Sequence, residues 1–296
     1  MSDPARPHRG TIFVEDAEVL SIDRHPGGQF ILRLRSPKCA TRATAGSFVH
    51  VQCDHTIPMR RPLSIMRANA DEGWIEVLFK VVGEGLFSLG HKEPGDRVSS
   101  LGPIGKGFRP DAKRPRTLLI GGGVGIPPMI FLAETLLNDA GNWQPLAIMG
   151  SELPFPFELR RSAIAAGWID ADVDRNLGLL EDWGVAGRLA SLTGFPGTYR
   201  GYVTGLAERY LASLDDSALA EVEVFSCGPT PMLKAVAALA ARFGLPCQVS
   251  LEEYMACAVG GCAGCAVLVQ TDEGPAMKRV CVDGPVFDAA RVFAAA

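Results

Sequence analysis

The sequence lacks the features of secreted, membrane-spanning and nucleic-acid-binding proteins. Its first residues, MSDPARPHRG, contain no apolar segment such as a secretory signal needs. No run approaches the eighteen or so consecutive apolar residues of a membrane span. The 29 basic and 33 acidic side chains give a net charge of −4, and no basic run is interleaved with aromatic residues. These absences predict a cytoplasmic protein without a membrane or nucleic-acid partner.

What the sequence does contain is enough apolar material for a sizeable core. The chain has 296 residues, of which 47% are hydrophobic and 21% charged, so two domains and a small third one are expected. It also has eight cysteines. Because the cytoplasm is reducing, these cysteines are not expected to form disulfides.

The pattern of short apolar runs changes along the chain and predicts an all-β part followed by an α/β part. Residues 1–10 are expected to form a flexible tail. Residues 11–112 contain short runs rich in Val, Ile and Phe, broken by Gly, Pro and Asp, which favour a barrel or sandwich. Residues 113–245 alternate strand-like and helix-like segments, as in a parallel sheet covered by helices. Residues 246–296 show little regular pattern, and residues 175–200 have no clear assignment.

Four cysteines near the C-terminus suggest a metal centre. Their spacing is C-x4-C-x2-C-x15-C, and they are Cys257, Cys262, Cys265 and Cys281. Plant-type [2Fe-2S] centres are bound by C-x4-C-x2-C on one loop and by a fourth, remote cysteine. Gly260, Gly261 and Gly264 permit the positive φ angles and the close approach that such a wrapping loop demands.

Two other interpretations of these cysteines remain. Structural zinc more often uses paired C-x2-C units, and only one such pair is present. The alternative is that the four are unrelated buried cysteines. In that case the cluster-like spacing, the glycines between the cysteines and the reducing compartment would occur together only by coincidence. The sequence therefore favours an iron–sulfur cluster. Of the other cysteines, Cys39, Cys53 and Cys247 are predicted to be small buried apolar side chains.

Two glycine-containing loops in the α/β part predict a nucleotide site. LLIGGGVGIPPM and FSCGPTPMLKAV each follow a strand and precede a helix, where a phosphate can approach the backbone. The first is not a regular G-x-G-x-x-G, since Pro128 occupies the third glycine position, and it could be only a tight strand–helix turn. The predicted binding residues are Gly122, Gly123, Val124, Gly125, Cys227, Gly228 and Pro229.

The segment MRRPLSI in the all-β part has a weaker signal. A fork of Arg60 and Arg61 can hold a pyrophosphate, and the hydroxyl of Ser64 can bond the edge of a flavin ring. Taken alone, the segment is more typical of a solvated edge strand containing a proline, and it gains weight only from its position before a nucleotide-binding part.

These motifs together resemble a known family. RRPLSI, GPIGKGF, GGGVGIPPM, SCGPTPMLKAV, SLEEYMACAVGGCAGCAV and RVCVDGPVF occur in family order between about residues 15 and 290. The chain thereby resembles the ferredoxin–NADP reductase superfamily and, within it, the electron-transfer subunits of bacterial type B dihydroorotate dehydrogenases.

The resemblance implies three domains and an electron relay. Residues 11–112 would form an antiparallel β-barrel that binds FAD, residues 113–245 an α/β domain that binds NAD(H), and residues 246–296 a small [2Fe-2S] domain. Electrons would pass between NAD(H), FAD and the cluster, and onward to or from an FMN-containing catalytic subunit in pyrimidine synthesis. The family assembles as two electron-transfer and two catalytic subunits.

The resemblance also implies which residues contact FAD: Arg61, Pro62, Leu63, Ser64, Leu78, Phe79, Lys80, Gly85 and Leu86. No residue receives a catalytic role, although Cys227 is expected near the nicotinamide. NADH is inherited from the family, and no residue distinguishes it from NADPH.

Four departures from the family pattern leave alternatives open, and one of them is the longer segment at residues 151–200, which could alter the choice of nicotinamide cofactor. Leu86 replaces a common threonine, Tyr254 a common arginine and Ala258 a common glycine. An NAD(P)H-dependent flavin and iron–sulfur reductase that serves a different redox partner is the main alternative. An iron–sulfur redox sensor without flavin turnover is a third, and it predicts a protein without FAD.

Overall fold

The computed structural model describes residues 10–293, so the tail predicted at residues 1–10 lies, apart from its last residue, outside the described part. Six antiparallel strands form a closed barrel in the order β1-β2-β5-β4-β3-β6. They are β1 (Phe13–His25), β2 (Gln29–Arg35), β3 (Phe48–Gln52), β4 (Arg61–Asn69), β5 (Trp74–Lys80) and β6 (Arg97–Ile104). Two short helices connect them, α1 (Pro37–Ala40) and α2 (Gly83–Leu89).

The barrel interior follows from the period-2 alternation of its strands. Leu32 lies opposite Val77 and Leu34 opposite Ile75, and all four side chains are fully buried. By contrast, Phe48 packs in a second apolar cluster together with residues of the C-terminal segment. The barrel therefore has an apolar interior and a second apolar surface on its outer face at β3.

A six-stranded sheet forms the second layer, in the order β11-β8-β7-β12-β13-β16. Its parallel strands are β7 (Arg116–Gly122), β8 (Leu146–Gly150), β11 (Ala186–Ala190), β12 (Val222–Cys227) and β13 (Cys247–Ser250). The helices around them are α3 (Ile126–Asn138), α5 (Val203–Ala212), α6 (Asp216–Ala220) and α7 (Thr230–Arg242). Helix α3 lies between this sheet and barrel strand β4.

The segment without a sequence assignment contains regular structure. It forms β10 (Arg175–Leu177), α4 (Gly178–Asp182) and the edge strand β11. Strand β10 pairs with β9 (Leu159–Arg161) in a separate two-stranded ribbon. These elements are three to five residues long, which is too short for a periodic pattern to reveal them.

The C-terminal segment does not form a separate layer. After the cysteine loop it forms the hairpin of β14 (Ala266–Thr271) and β15 (Gly274–Arg279), then β16 (Val286–Asp288) and α8 (Ala289–Val292). Strand β16 pairs antiparallel with β13, so the sheet expected to be parallel is mixed. The hairpin and the cysteine loop are thus held between two connections to the main sheet. None of the described helices has the length and apolar character to span a membrane.

Candidate functional site

The two predicted nucleotide loops meet at the centre of the six-stranded sheet. From β7 the chain continues to β8 on one side, whereas from β12 it continues to β13 on the other side. The carboxyl ends of β7 and β12 therefore flank the point where the strand order reverses, which is where open α/β sheets bind ligands. Gly121 at the end of β7 lies directly beside Cys227 at the end of β12. The fold thus brings together two motifs that are about a hundred residues apart in sequence.

Glycine is required in these loops because the backbones touch. A Cβ atom on Gly125 would collide with the carbonyl group of Cys227, and one on Gly122 would collide with the side chain of Met232. Gly123 has a φ of +54°, in the left-handed region. The loops are therefore packed so closely that a ligand at this edge would contact main-chain atoms of both.

Cys227 is a neutral thiol at the base of this cleft. Burial, and then the nearby carboxylate of Glu252, raise the pKa of the thiol, while a hydrogen bond with Ser250 acts in the opposite direction. The Glu252 side chain is open to solvent on one side, yet the surrounding protein raises its pKa. The cleft thus contains an uncharged thiol beside a carboxyl group whose ionisation is disfavoured.

The two arginines of MRRPLSI have different surroundings. Arg60 donates to the carbonyl oxygens of Ser99 at 2.7 Å and of His50 at 3.1 Å, and to the Ser99 hydroxyl at 2.8 Å. Arg61 donates through one nitrogen, Nη1, to the carbonyls of Met59 and Arg60. Arg60 therefore stabilises the barrel, whereas Nε and Nη2 of Arg61 have no partner in the described part of the chain.

Arg61 lies against Gly85 on α2, a residue that the family resemblance also assigned to the FAD site. A Cβ atom on Gly85 would stand 3.3 Å from the Arg61 guanidinium group. Leu86 follows on α2 as a half-buried apolar side chain, without the hydroxyl of the family's threonine. This arrangement places the free Nε and Nη2 groups of Arg61 beside the first turn of α2, where Gly85 is buried, and an arginine with two free N–H groups can bind a pyrophosphate.

The remaining predicted flavin contacts differ in accessibility. Pro62 and Ser64 are half-buried on β4, Leu63 and Leu78 are buried, and Lys80 is exposed. Phe79 points into the barrel and stacks on Phe30 at 5.2 Å, so only its backbone can contact a cofactor.

The four clustered cysteines lie in two pairs. The backbone N–H of Cys262 donates to the Cys257 sulfur at 3.4 Å, while the sulfurs of Cys265 and Cys281 are 3.3 Å apart. All eight cysteines of the chain are free. Two thiol pairs, one per metal ion, are the ligand set that a two-iron cluster requires. Within residues 10–293, no group of three or more His, Cys, Asp or Glu side chains, these cysteines included, is close enough together to hold one metal ion.

Backbone amides in the loop point at the sulfurs. The N–H of Gly264 donates to the Cys262 sulfur at 3.4 Å. Burial acts to raise the pKa of Cys257, but hydrogen bonds from the loop, chiefly the N–H of Cys262, outweigh it and lower the pKa to about 7. At Cys257 the loop therefore stabilises the thiolate, which is the form that binds iron, whereas burial and the neighbouring Cys265 raise the pKa of Cys281 to about 12.

The loop reaches this conformation with different residues from those expected. Gly260 has a positive φ of 80°, but Gly261 and Gly264 do not. Instead Ala258 and Ala263 each have a φ of +55°. Of the three glycines that permit positive φ, only Gly260 uses it, and two alanines occupy left-handed positions that glycine usually fills.

Sequence reasoning missed several residues around the site. Arg279 donates to the carbonyl of Gly260 at 3.0 Å and pairs with Asp283 at 3.1 Å, so it connects the cysteine loop to the chain beyond Cys281. Glu252 and His50 were also missed. Arg279 and Gly260 are nineteen residues apart, so no helical or strand periodicity relates them and their contact left no local signal in the sequence.

The chain matches known proteins in sequence and in structure. Residues 252–293 match the model of the iron-sulfur cluster binding domain of dihydroorotate dehydrogenase B. A protein of Desulforamulus reducens named dihydroorotate dehydrogenase B (NAD(+)), electron transfer subunit, is 32% identical over 93% of this chain and 96% of its own length. The protein of that name from Geobacillus thermodenitrificans is 34% identical over 90% of each chain.

Solved structures show the same fold at greater distance. A chain from a structure of an NADH-dependent reduced ferredoxin-NADP oxidoreductase superposes with a TM-score of 0.73 at 24% identity, covering 94% of this chain and 90% of that one. A ferredoxin reductase of carbazole 1,9a-dioxygenase gives a TM-score of 0.59 at 22% identity, covering 79% and 67%. The barrel and the mixed sheet are thus the arrangement of reductases of this type.

Proposed function

The chain belongs to the family of dihydroorotate dehydrogenase B electron transfer subunits, and we propose how its residues serve that function. It is an oxidoreductase subunit that relays electrons between NAD(H), FAD and a [2Fe-2S] cluster. The observation on which the proposal rests is the set of two thiol pairs in the segment that matches the family's cluster-binding domain.

When bound, FAD supplies two-electron hydride chemistry and the cluster supplies one-electron transfer, so together they connect a nicotinamide to a one-electron path. For FAD, Arg61 would bind the pyrophosphate through Nε and Nη2, and the backbone at Gly85 would add N–H donors. Ser64 would hydrogen-bond the ring edge. Leu86 offers no hydroxyl, so the hydroxyl contact that a threonine would make to the flavin's phosphate would be absent.

For the dinucleotide, we propose the crevice between the carboxyl ends of β7 and β12. Gly123 and Gly125 would allow its phosphates to approach the main chain. Cys227 would hold a neutral thiol beside the nicotinamide, where a thiolate would repel an incoming hydride. The residues that would hold the cluster are the four paired cysteines, Cys257, Cys262, Cys265 and Cys281.

For the partner, we propose an FMN-containing catalytic subunit that docks on the face formed by residues 246–290, in a cytoplasmic assembly of two subunits of each kind. Tyr254 is 93% exposed and Val259 is 49% exposed beside the cysteine loop. Exposed apolar side chains next to a redox centre favour contact with a partner protein.

The test of the whole proposal is purification of the tagged chain from its native host. We expect flavin and iron–sulfur absorbance together, a bound catalytic subunit identified by mass spectrometry, and reduction of NAD⁺ that depends on dihydroorotate. If a different protein is bound and dihydroorotate-dependent reduction of NAD⁺ is absent, the proposed partner is rejected, while the proposed relay between NAD(H), FAD and the cluster still stands.

Arg61→Ala tests the flavin site. Losing a charged hydrogen-bonding group costs about 1.5–3 kcal/mol, so FAD affinity should fall about tenfold to more than a hundredfold. Titration of the apoprotein with FAD measures this, and Arg61→Lys should recover part of it. Unchanged FAD affinity in Arg61→Ala would exclude the assigned role.

A further inference from the structure

His50 is a fully buried polar side chain without a partner. It lies on β3 with 0% of its surface exposed, and neither ring nitrogen makes a hydrogen bond within the described residues. An imidazole always has at least one N–H donor and, when neutral, one acceptor. Leaving such groups unpaired in the interior costs about 1–3 kcal/mol. A buried histidine in this state calls for a functional explanation.

The register of the barrel places His50 on the face that is proposed to hold the flavin. His50 lies opposite Pro62 on β4, and Phe48 lies opposite Ser64. Residues directly opposite each other in an antiparallel pair point to the same face. The neighbouring Val49 and Val51 fill the barrel interior, so His50 points outward with Pro62 and Ser64.

The same face is covered by the segment that leads into the cysteine loop. Phe48 packs in one apolar cluster with Leu251 and Met255, and this cluster also contains Cys265 and Cys281. The backbone carbonyl of Met255 lies close enough to the His50 ring to influence its titration. Met255 precedes Cys257 by two residues. His50 is therefore between the flavin-binding strand and the first cysteine of the loop.

His50 is neutral in this environment. Burial is the main cause that lowers the pKa of His50 to about 4, followed by the positive charge of Arg60 and, more weakly, that of Arg61. The backbone carbonyls of Met255 and Arg60 act in the opposite direction, but their effect is smaller. The two arginines are the charged groups that act on the ring. A neutral ring keeps one N–H, for which the carbonyls of Met255 and Arg60 are both near, and one acceptor nitrogen; of the two carbonyls, only that of Met255 belongs to the segment that precedes Cys257.

We propose that His50 is a positioning residue of the relay, which joins the FAD-binding strand to the segment preceding Cys257 through a hydrogen bond to the Met255 carbonyl. This proposal rests on the proposed function. It explains why a polar ring is retained where the surrounding side chains are apolar.

Three variants of the holoprotein test the proposal. His50→Leu keeps the approximate volume and removes the hydrogen bond, His50→Gln keeps a donor of similar reach, and His50→Asn keeps a donor that is too short. Ser100→Ala is the matched control, because Ser100 is also buried and unpartnered but lies opposite Val51 and points into the barrel. Each variant is mixed rapidly with NADH, and flavin and cluster absorbance are followed separately.

We expect flavin reduction in His50→Leu to stay within about twofold of wild type, while cluster reduction slows by about three- to tenfold, the kinetic equivalent of one hydrogen bond. His50→Gln should recover most of the rate, and His50→Asn should not. Amide hydrogen exchange at residues 251–257 should accelerate by a similar factor in His50→Leu and remain unchanged in Ser100→Ala.

Wild-type cluster reduction and wild-type exchange in a His50→Leu protein with full FAD and iron would overturn the proposal. If His50→Leu fails to fold, equal rates of cluster reduction in His50→Gln and His50→Asn would overturn the proposal instead. If NADH fails to reduce the cluster in the wild-type protein, the proposed function itself is rejected. That result is distinguishable from both outcomes above, because they compare variants with a wild-type protein that works.

Discussion

The barrel contacts its two neighbours in different ways. Towards the nucleotide-binding sheet it presents paired charges: Arg67 on β4 binds Glu134 on α3 at 2.8 Å and lies 3.8 Å from Glu76. The Arg67 guanidinium also lies over the rings of Trp74 and Trp183. Towards the cysteine segment the barrel presents apolar side chains and the unpaired ring of His50.

The difference indicates which contact depends on a cofactor. The charges at the first contact pair with one another, because Arg67 binds Glu134 and Arg33 binds Glu76 at 2.7 Å, although the second carboxylate oxygen of Glu134, Oε2, is buried without a partner among the described residues. At the second contact the thiols and the His50 ring have too few partners among the described residues. We infer that the barrel and the nucleotide-binding sheet hold together without the cluster, and that the cysteine segment requires it.

The largest effect should come from removing one ligand, and Cys262→Ser does this on the exposed side of the loop. A cluster that loses one of its four thiolates is expected to be lost entirely. We expect no cluster absorbance and no electron delivery to the partner, while NADH still bleaches the FAD. Visible spectra with and without NADH provide the measurement.

Cys53→Ala serves as the control, since Cys53 is buried in the barrel core, far along the chain from the loop. It should keep the cluster. If Cys262→Ser is folded but NADH no longer reduces its FAD, the contact between the barrel and the nucleotide-binding sheet also depends on the cluster. The distinction between that contact and the contact with the cysteine segment would then be wrong.

A smaller effect is expected from the charged contact. Arg67→Met keeps most of the apolar stem but leaves Glu134 without its cation at a half-buried position. Breaking a charged hydrogen bond of this kind costs about 2 kcal/mol. Urea unfolding of the holoprotein should show this loss, and flavin reduction by NADH should slow because the two domains are less well aligned.

Arg97→Met is the matched control, because the Arg97–Asp16 pair is exposed on the same barrel. It should change stability by no more than about 0.5 kcal/mol. Equal losses in both variants would mean that the Arg67 network contributes no more than a surface ion pair.

The sequence predicted those features that depend on local spacing. Alternating apolar residues indicated the barrel strands, and the cysteine spacing indicated a loop that the structure folds into two thiol pairs. Features that depend on distant residues left no local signal. Arg67 and Glu134 are 67 residues apart, and β16 joins the sheet only because the chain turns back after the hairpin.

The cysteine loop also shows where a local rule failed. Three glycines were expected to permit the positive φ angles of the loop, because glycine adopts them most easily. Ala258 and Ala263 adopt φ of +55° instead, which costs about 1–2 kcal/mol per residue for an L-amino acid. Surrounding structure must impose these angles, and such strain is typical of functional sites.

The smallest expected effect distinguishes these two alanines. Ala263 is exposed, so Ala263→Gly removes the strain at the entropic cost of a glycine, with a net gain of about 0.5–1 kcal/mol. Ala258 is 1% exposed, so Ala258→Gly also loses a buried methyl group worth about 0.8 kcal/mol, and the net change is close to zero. The rate at which a chelator bleaches the cluster measures both. A slower loss in Ala263→Gly than in Ala258→Gly is expected, and the reverse order would mean that the alanine methyl groups, rather than backbone strain, determine how firmly the segment holds its metal.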